Sequence, residues 1–178
     1  KLGPPSRAYL KLWEAFMRMG SWPKPGDRCL DLGSAPGGWT WACASLGAQV
    51  ISIDRAPLAP SVAAMPGVDA RQGNAFTFDP QALDTPLDWL VTDVVCYPQK
   101  MLELVQKWIA SRMCRRIVAT IKFQGDDLAL DTVCAFAALP GAEVAHLNYN
   151  KHELTLLWTE SSRPAACKGP PFTSKSIC

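Results

Sequence analysis

The sequence contains few of the residues from which most metal and disulfide sites are built. Only two histidines, His146 and His152, occur among its 178 residues. Its seven cysteines are odd in number, lie far apart and include no C-x-x-C pair, whereas zinc sites and disulfide frameworks have characteristic spacings. We therefore expect no metal site, and we expect the cysteines to be reduced thiols that pack as small apolar residues in a cytoplasmic protein.

Long apolar runs and a strong excess of one charge are also missing. No apolar segment approaches the roughly 20 residues of a membrane-spanning helix, so we expect no membrane partner. The net charge of +2 is too small to indicate a nucleic-acid partner by itself. A hydrophobic fraction of 48% with 19% charged residues excludes wholesale disorder and is typical of a folded domain.

Helical and strand-like patterns alternate along the chain. Apolar residues at helical spacing predict an amphipathic first helix over residues 6–19, with Lys11 on its polar face. Short β-branched or apolar segments predict strands, and helical segments lie between them. The strands are expected at 28–32, 49–54, 68–72, 87–94 and 116–123, and the further helices at 38–46, 98–113 and 126–139, while the pattern at 56–66 is ambiguous.

Two more strands are predicted at 142–148 and 153–158, with only a short turn between them. That turn is too short for a parallel crossover, so these strands must pair antiparallel. Residues 1–160 are therefore expected to form one α/β domain, a mostly parallel seven-stranded sheet with a reversed last strand and helices on both faces. This is the architecture of Rossmann-like methyltransferases. Residues 161–178 are rich in Pro, Ser and Lys and predict a loosely ordered tail.

A glycine-rich loop, DLGSAPGGW at residues 31–39, follows the first strand directly. Ligands of α/β proteins bind beyond the carboxyl ends of the strands, and glycines let the backbone approach a ligand closely. The loop does not match G-x-G-x-x-G, so the dinucleotide fingerprint is not met. Asp54 ends the second strand, where a carboxylate can accept both hydroxyls of a ribose. A glycine-rich turn without a ligand is the alternative.

The pattern D-L-G-x-x-P-G-G-W resembles the donor-binding motif of S-adenosylmethionine methyltransferases. The resemblance implies that Asp54 binds the ribose of the donor and that Asn74 lies near its adenine, where an acidic residue is usual. The donor-binding residues that it implies are Asp31, Gly33, Ser34, Ala35, Pro36, Gly37, Gly38, Trp39, Asp54, Asn74 and Asp93.

Four ionisable residues are expected to meet at one edge of such a sheet. Lys11 lies on the first helix, Asp93 and Lys122 end strands, and Glu153 begins the reversed strand. Each has an ordinary structural explanation when taken alone: Lys11 could be a solvated helix lysine, and Lys122 with Glu153 could be a plain ion pair.

Together, five segments resemble the FtsJ-type RNA 2′-O-ribose methyltransferases: SRAYLKL, DLGSAPGGW, TDVV, IKFQGDD and HELTLLW, in order over residues 6–158. The resemblance implies that Lys11, Asp93, Lys122 and Glu153 are catalytic and that S-adenosylmethionine donates a methyl group to a ribose 2′-hydroxyl. The segment VVCYP at 94–98, where M-A-P-N is commonest, is closer to the RlmM-like branch, which acts on large-subunit ribosomal RNA. That branch usually carries an N-terminal RNA-binding extension, which we expect to lie outside this chain.

The partner implied by the resemblance is RNA, ribosomal RNA in particular, rather than DNA, and a monomer is favoured. Alternatives stay open: a cap or transfer-RNA 2′-O-methyltransferase, a donor-binding but inactive module that docks RNA or protein, and, less favoured because it would lack the lysine pair, a small-molecule methyltransferase. Six cations could contact phosphates near the pocket, although each could equally be ordinary surface charge: Arg7, Arg18, Arg112, Arg115, Arg116 and Lys122.

Overall fold

The computed structural model describes residues 3–125 and 127–160, which build one seven-stranded sheet with helices packed on it. In chain order its elements are α1 Tyr9–Met19, β1 Arg28–Leu32, α2 Gly38–Ser45, β2 Gln49–Asp54, α3 Pro60–Ala63, β3 Val68–Gln72, a 3-10 turn Pro80–Ala82, β4 Trp89–Thr92, α4 Pro98–Ser111, β5 Arg116–Lys122, α5 Leu130–Ala137, β6 Ala142–Ala145 and β7 Glu153–Thr159.

The strands lie in the order β3-β2-β1-β4-β5-β7-β6. Strands β1 to β5 pair in parallel, and β7 is antiparallel to both β5 and β6. The predicted fold class is therefore confirmed. Because the strand order reverses between β1 and β4, the carboxyl ends of these two strands open a crevice of the kind in which α/β proteins bind ligands.

The buried side chains form two clusters, one on each face of the sheet. Helix α1 contributes Phe16 to the first cluster, and α4 contributes Trp108 to the second. Successive residues of β5 alternate between the two, since Ile117 belongs to the second cluster and Val118 to the first. This period of two is that of a strand buried on both faces, so the helices cover both faces as predicted.

Strands β1, β2 and β3 have the predicted bounds, but several other ends differ. The helix expected from residue 6 begins at Tyr9, and the strands expected at 87–94 and 142–148 are the shorter β4 and β6. The helix expected over 126–139 is only Leu130–Ala137. Its start is set by Ala129, which has a left-handed φ of 45° and whose N–H donates to Asp127 Oδ1 at 2.7 Å. Helix α4 ends early because Arg112 is also left-handed.

Two further expectations concern the cysteines and the membrane. Within the described ranges the cysteines are free thiols, and all except Cys134 are buried. Burial raises the pKa of the Cys96 thiol to about 11, which keeps it protonated and unreactive at neutral pH. In the same ranges, no helix combines the length and the apolar character needed to cross a membrane. The tail predicted at 161–178 lies outside the described residues and stays a prediction.

Candidate active site

Four ionisable side chains form a continuous chain of ion pairs at the carboxyl edge of the parallel strands. The Nζ atom of Lys11 lies 2.5 Å from Glu153 Oε1 and 3.1 Å from Asp93 Oδ1. The Nζ atom of Lys122 lies 3.0 Å from the same Asp93 oxygen and donates to the Asp93 carbonyl at 2.6 Å. The structure thus brings together all four residues that the sequence predicts as catalytic, and we call them the tetrad.

The tetrad is neutral in sum but unevenly buried. The side chains of Lys11 and Glu153 are 8% and 12% exposed, whereas those of Asp93 and Lys122 are each 20% exposed. Lys11 bridges two carboxylates at the buried end, which satisfies a cation that would otherwise be costly to bury. Lys122 lies at the open end, so its amine is the one that an incoming group can reach.

The fold fixes both lysines. Helix α1 packs Leu12 and Phe16 into the core, and Trp39 Nε1 on α2 donates to the Ala8 carbonyl at 2.8 Å just ahead of α1. These contacts set the position of Lys11 in the first turns of the helix. Lys122 is the last residue of β5 and lies opposite Glu153 in the antiparallel register with β7.

Two residues that the sequence analysis did not single out hold the tetrad in place. The Oγ1 atom of Thr120 donates to Asp93 Oδ1 at 2.8 Å, and the Nδ2 group of Asn150 donates to Glu153 Oε1 at 3.2 Å. Thr120 could have been found, because it lies two residues before Lys122 and so on the same face of β5. Asn150 lies in the turn before β7, and no periodicity indicates its contact.

A cavity of about 290 Å³ opens at the carboxyl edge of the parallel strands, and no member of the tetrad lines it. Val94 in its wall follows Asp93 directly, so the cavity adjoins the ion pairs. Of the predicted donor-binding residues, Gly33, Asp54 and Asn74 line it. The full lining is Gly33, Asp54, Arg55, Gly73, Asn74, Ala75, Phe76, Val94, Val95 and Lys100.

The glycines of the loop are required by close approach as well as by conformation. Gly33 has a φ of 76°, and a Cβ added there would lie 2.5 Å from Val94 Cβ. Gly37 has a φ of 110°, and a Cβ on Gly38 would lie 2.5 Å from Ser6 Oγ. A side chain at Gly33 would therefore clash with the segment after β4, and one at Gly38 with the segment that leads into α1.

The polar groups that face the cavity are held by the backbone around them. The Asp54 carboxylate accepts hydrogen bonds from the Ala35 N–H at 3.0 Å and the Ala56 N–H at 2.9 Å. The Oδ1 atom of Asn74 accepts from the Phe76 N–H at 3.0 Å. Carboxylate and amide oxygens have further lone pairs, so both residues are held in place and can still accept from a ligand.

The other residues predicted at the donor site do not line the cavity. The buried Asp31 carboxylate accepts a hydrogen bond from Thr40 Oγ1 at 2.7 Å, and Thr40 Oγ1 lies 2.8 Å from Ser52 Oγ. Burial raises the pKa of Asp31 to about 7. Trp39 is buried between α1 and α2. Within the described residues, the buried Ser34 Oγ has no hydrogen-bond partner.

The cations proposed for phosphate contacts are mostly far from the tetrad. Arg116 begins β5 and Lys122 ends it, which puts about 20 Å between them at the usual rise per residue. Arg112 and Arg115 lie at the same distant edge, so the expectation that these three arginines lie near the pocket is wrong. Arg18 pairs with Glu143 at 2.5 Å, whereas Lys122 belongs to the tetrad. The other member of that set, Arg7, is exposed two residues ahead of α1.

Comparisons with known proteins agree with this geometry. The model of the FtsJ-like methyltransferase family matches residues 4–146. The chain is 38% identical over 161 residues to the ribosomal RNA large subunit methyltransferase M of Halorhodospira halophila, a match that covers 85% of this chain and 46% of that relative. The chain thus spans less than half the length of this curated relative.

Solved structures share the fold at low sequence identity. A Streptococcus thermophilus protein described as a hemolysin superposes with a TM-score of 0.71 at 19% identity, over 91% of this chain and 69% of the other. A ribosomal RNA methyltransferase from Plasmodium falciparum superposes with a TM-score of 0.63 at 17% identity, over 86% and 96% of the two chains.

Proposed function

Because the chain belongs to the FtsJ-like methyltransferase family, we propose that it transfers a methyl group from S-adenosylmethionine to a ribose 2′-hydroxyl of RNA, with ribosomal RNA as the substrate class. The observation that carries the proposal is the tetrad Lys11, Asp93, Lys122 and Glu153 beside a cavity at the glycine loop. A 2′-hydroxyl exists in RNA and not in DNA, so the acceptor itself defines the nucleic acid. Acting on ribosomal RNA, such an enzyme would work in the cytoplasm.

The residues around the cavity fit the donor. Gly33 lets the loop backbone pack directly against Val94 in the cavity wall, and Asp54 offers carboxylate oxygens to the two hydroxyls of the donor's ribose. The Ser34 hydroxyl, next to Gly33 in the loop, is buried without a hydrogen-bond partner among the described residues, which costs about 1–3 kcal/mol, but it does not line the cavity. When bound, the donor supplies a methyl group on a positively charged sulfur.

The tetrad accounts for the acceptor side of the reaction. Lys122 lies at its exposed end and can hold the 2′-hydroxyl next to the cavity, which converts an encounter in solution into an oriented attack. As the hydroxyl oxygen bonds to the methyl carbon and the carbon–sulfur bond breaks, the hydroxyl proton must leave. A neutral Lys122 amine can accept that proton, whereas a charged one can only orient the hydroxyl.

Asp93 fixes the position of the Lys122 amine, and Lys11 in turn holds Asp93. Asp93 offers Lys122 both a carboxylate oxygen and its own carbonyl, which fixes two of the directions around Nζ. Lys11 and Glu153 complete the ion pairs behind Asp93. The arrangement therefore leaves the remaining direction of the Lys122 amine for the substrate.

The proposal is tested by the Lys122→Ala variant. The unmodified chain is incubated with methyl-labelled donor and protein-free large-subunit ribosomal RNA, and the nucleosides are analysed by mass spectrometry. We expect a 2′-O-methylnucleoside from the unmodified chain, none from the variant, and nearly equal donor affinity in both by calorimetry. A base-methylated product, or turnover by the variant, would overturn the proposal. Donor binding without any product would favour an inactive docking module.

We propose that an N-terminal RNA-binding region supplies most of the RNA affinity in the branch of the family that this chain resembles. The net charge of +2 favours this division, because a domain so weakly charged makes few phosphate contacts of its own.

A further inference from the structure

Exposed apolar side chains are concentrated at the edge of the sheet that carries the tetrad. Six large hydrophobic residues are strongly exposed in the described part of the chain, and only Met17 lies away from that edge. Four of the other five lie in three loops that follow β4, follow β5 or precede β7, and the fifth, Leu130, begins α5 at the end of the loop after β5. We call them the rim: Val95, Tyr97, Leu128, Leu130 and Tyr149. Such a concentration marks a binding surface, since scattered exposed residues would need no explanation.

The three loops of the rim are joined by contacts. The Oγ1 atom of Thr132, near the start of α5, donates a hydrogen bond to Gln99 Oε1, near the start of α4, at 3.4 Å. This contact brings the loop after β5 next to the loop after β4. The His152 ring bonds the Gly125 carbonyl at 2.9 Å and packs edge-on against Phe123, which joins the loop before β7 to the loop after β5. The rim is therefore one surface.

The rim also adjoins the tetrad. Tyr97 lies four residues after Asp93, and Tyr149 directly precedes Asn150, whose side chain donates to Glu153. Tyr97 and Tyr149 are 65% and 45% exposed. Tyr97 precedes helix α4 without capping it through its side chain, so its ring is available to a ligand.

Charge does not explain the surface. Lys100 and Lys151 are exposed beside the rim, but so are Asp127 and Asp131. The three arginines that could have contacted phosphates lie at the opposite edge. Aromatic rings beside a site proposed to act on a ribose can recognise nucleic acid through its bases, because every base has a face on which a ring can stack.

We infer that Tyr97 and Tyr149 stack on unpaired bases next to the methylated nucleotide, with Val95, Leu128 and Leu130 as the apolar surface around them. The inference rests on the proposed function and narrows its substrate to RNA that is single-stranded or splayed open at the target. Paired bases in an A-form helix do not present their faces, so a duplex cannot use this surface.

The test measures binding of a fluorescein-labelled, mixed-sequence 12-nucleotide RNA by anisotropy, as a single strand and as a duplex. Tyr97→Leu and Tyr149→Leu remove a ring but keep an apolar side chain, whereas Tyr97→Phe and Tyr149→Phe keep the ring. Met17→Ser is the control for an exposed apolar residue outside the rim.

We expect each Leu variant to bind the single strand about fivefold or more weakly, which corresponds to the lower end of about 1–3 kcal/mol per stacked base. The Phe and Met17→Ser variants should bind like the unmodified chain. Because no phosphate contact is lost, the slope of affinity against salt should not change. Donor affinity should also be unchanged in every variant.

Several results would overturn the inference: no measurable binding of the single strand by the unmodified chain, equal binding of single strand and duplex, or Leu variants that bind as tightly as the unmodified chain. If the Leu variants instead abolished self-association in the analytical ultracentrifuge with RNA affinity unchanged, the rim would be a protein-docking surface. If the unmodified chain methylates RNA but the Leu variants bind RNA normally, the stacking inference is wrong and the proposed function stands. If RNA binding depends on the rings but no methyl group is transferred, the proposed function is wrong and the stacking inference stands.

Discussion

The Nδ2 group of Asn150 lies 3.2 Å from Oε1 of Glu153 and donates a hydrogen bond to it, while its own Oδ1 accepts from the Leu147 N–H at 2.7 Å and from Thr155 Oγ1 at 3.1 Å. The side chain is 8% exposed and its amide orientation is fixed by the two bonds that it accepts. Glu153 is therefore held from both sides, by Asn150 and by Lys11.

This contact predicts that Asn150→Asp lowers kcat without raising the KM for RNA. The aspartate keeps both acceptor bonds, but it replaces the donor to Glu153 by an oxygen that repels it. We expect a fall of about tenfold in kcat, equivalent to roughly 1.4 kcal/mol in the activation free energy. Steady-state methylation with labelled donor measures both constants.

Asn148→Asp is the matched control, because Asn148 Nδ2 also donates to a glutamate, Glu14 Oε1 at 2.9 Å, but on the surface of the molecule. It should leave kcat unchanged. Equal losses in the two variants, or a loss in Asn150→Asp explained by a lower melting temperature, would show that Asn150 has only a structural role.

A second prediction concerns the buried cation of the tetrad. Lys11→Met leaves Asp93 and Glu153 facing each other with one cation fewer, and breaking a buried ion pair from one side costs about 3–5 kcal/mol. Urea unfolding should show a loss of that order. Asp93 keeps its pair with Lys122, so Glu153 is the stranded charge, and the double variant Lys11→Met/Glu153→Gln should recover part of the stability but no activity. Recovery of activity in the double variant would contradict a catalytic role for the ion pairs.

The sequence predicts the strands better than it predicts the ends of the helices. The bounds of β1 and β2 follow from largely apolar segments that the sheet buries, whereas β3 is a mostly exposed edge strand whose pattern is weaker. The start of α5 depends instead on the left-handed backbone of Ala129 and its hydrogen bond to Asp127. An alanine in the sequence does not indicate either feature. Helix ends are decided by such local hydrogen bonds and not by periodicity.

The candidate site shows the same division. Three residues of the tetrad, Asp93, Lys122 and Glu153, could be placed at one edge because they lie at strand ends, and the resemblance to the FtsJ-type family added Lys11 and the catalytic role. Of the two partners, Thr120 could have been found from its position two residues before Lys122, whereas Asn150 could not, because its hydrogen bond depends on a side-chain rotamer. The arginines before β5 were placed at the wrong edge because cations near in sequence to Lys122 are separated from it by a whole strand.

A third prediction compares two glycines with similar backbones. Gly33 and Gly20 have φ values of 76° and 60°, but a Cβ would clash with Val94 only at Gly33 and would meet nothing within 4 Å at Gly20. Both alanine variants bear the conformational cost, of the order of 1 kcal/mol. In Gly33→Ala, overpacking should lower the free energy of unfolding by roughly a further 1–3 kcal/mol. This variant should also bind the donor at least tenfold more weakly. Calorimetry and urea unfolding measure the two effects, and equal stability losses would refute the steric argument.

A fourth prediction follows from the buried Asp31 carboxyl, whose pKa burial raises to about 7 from an unfolded value near 3.8. Between these two values the native state binds more protons than the unfolded state, so the free energy of unfolding falls as the pH rises through this window and is constant above it. Asp31→Asn removes the titration and keeps an oxygen that can accept from Thr40. Urea unfolding at pH 5 and pH 8 should therefore show the unmodified chain losing roughly 2–3 kcal/mol relative to the variant as the pH rises. A constant difference between the two proteins at both pH values would mean that Asp31 is already charged in the folded state.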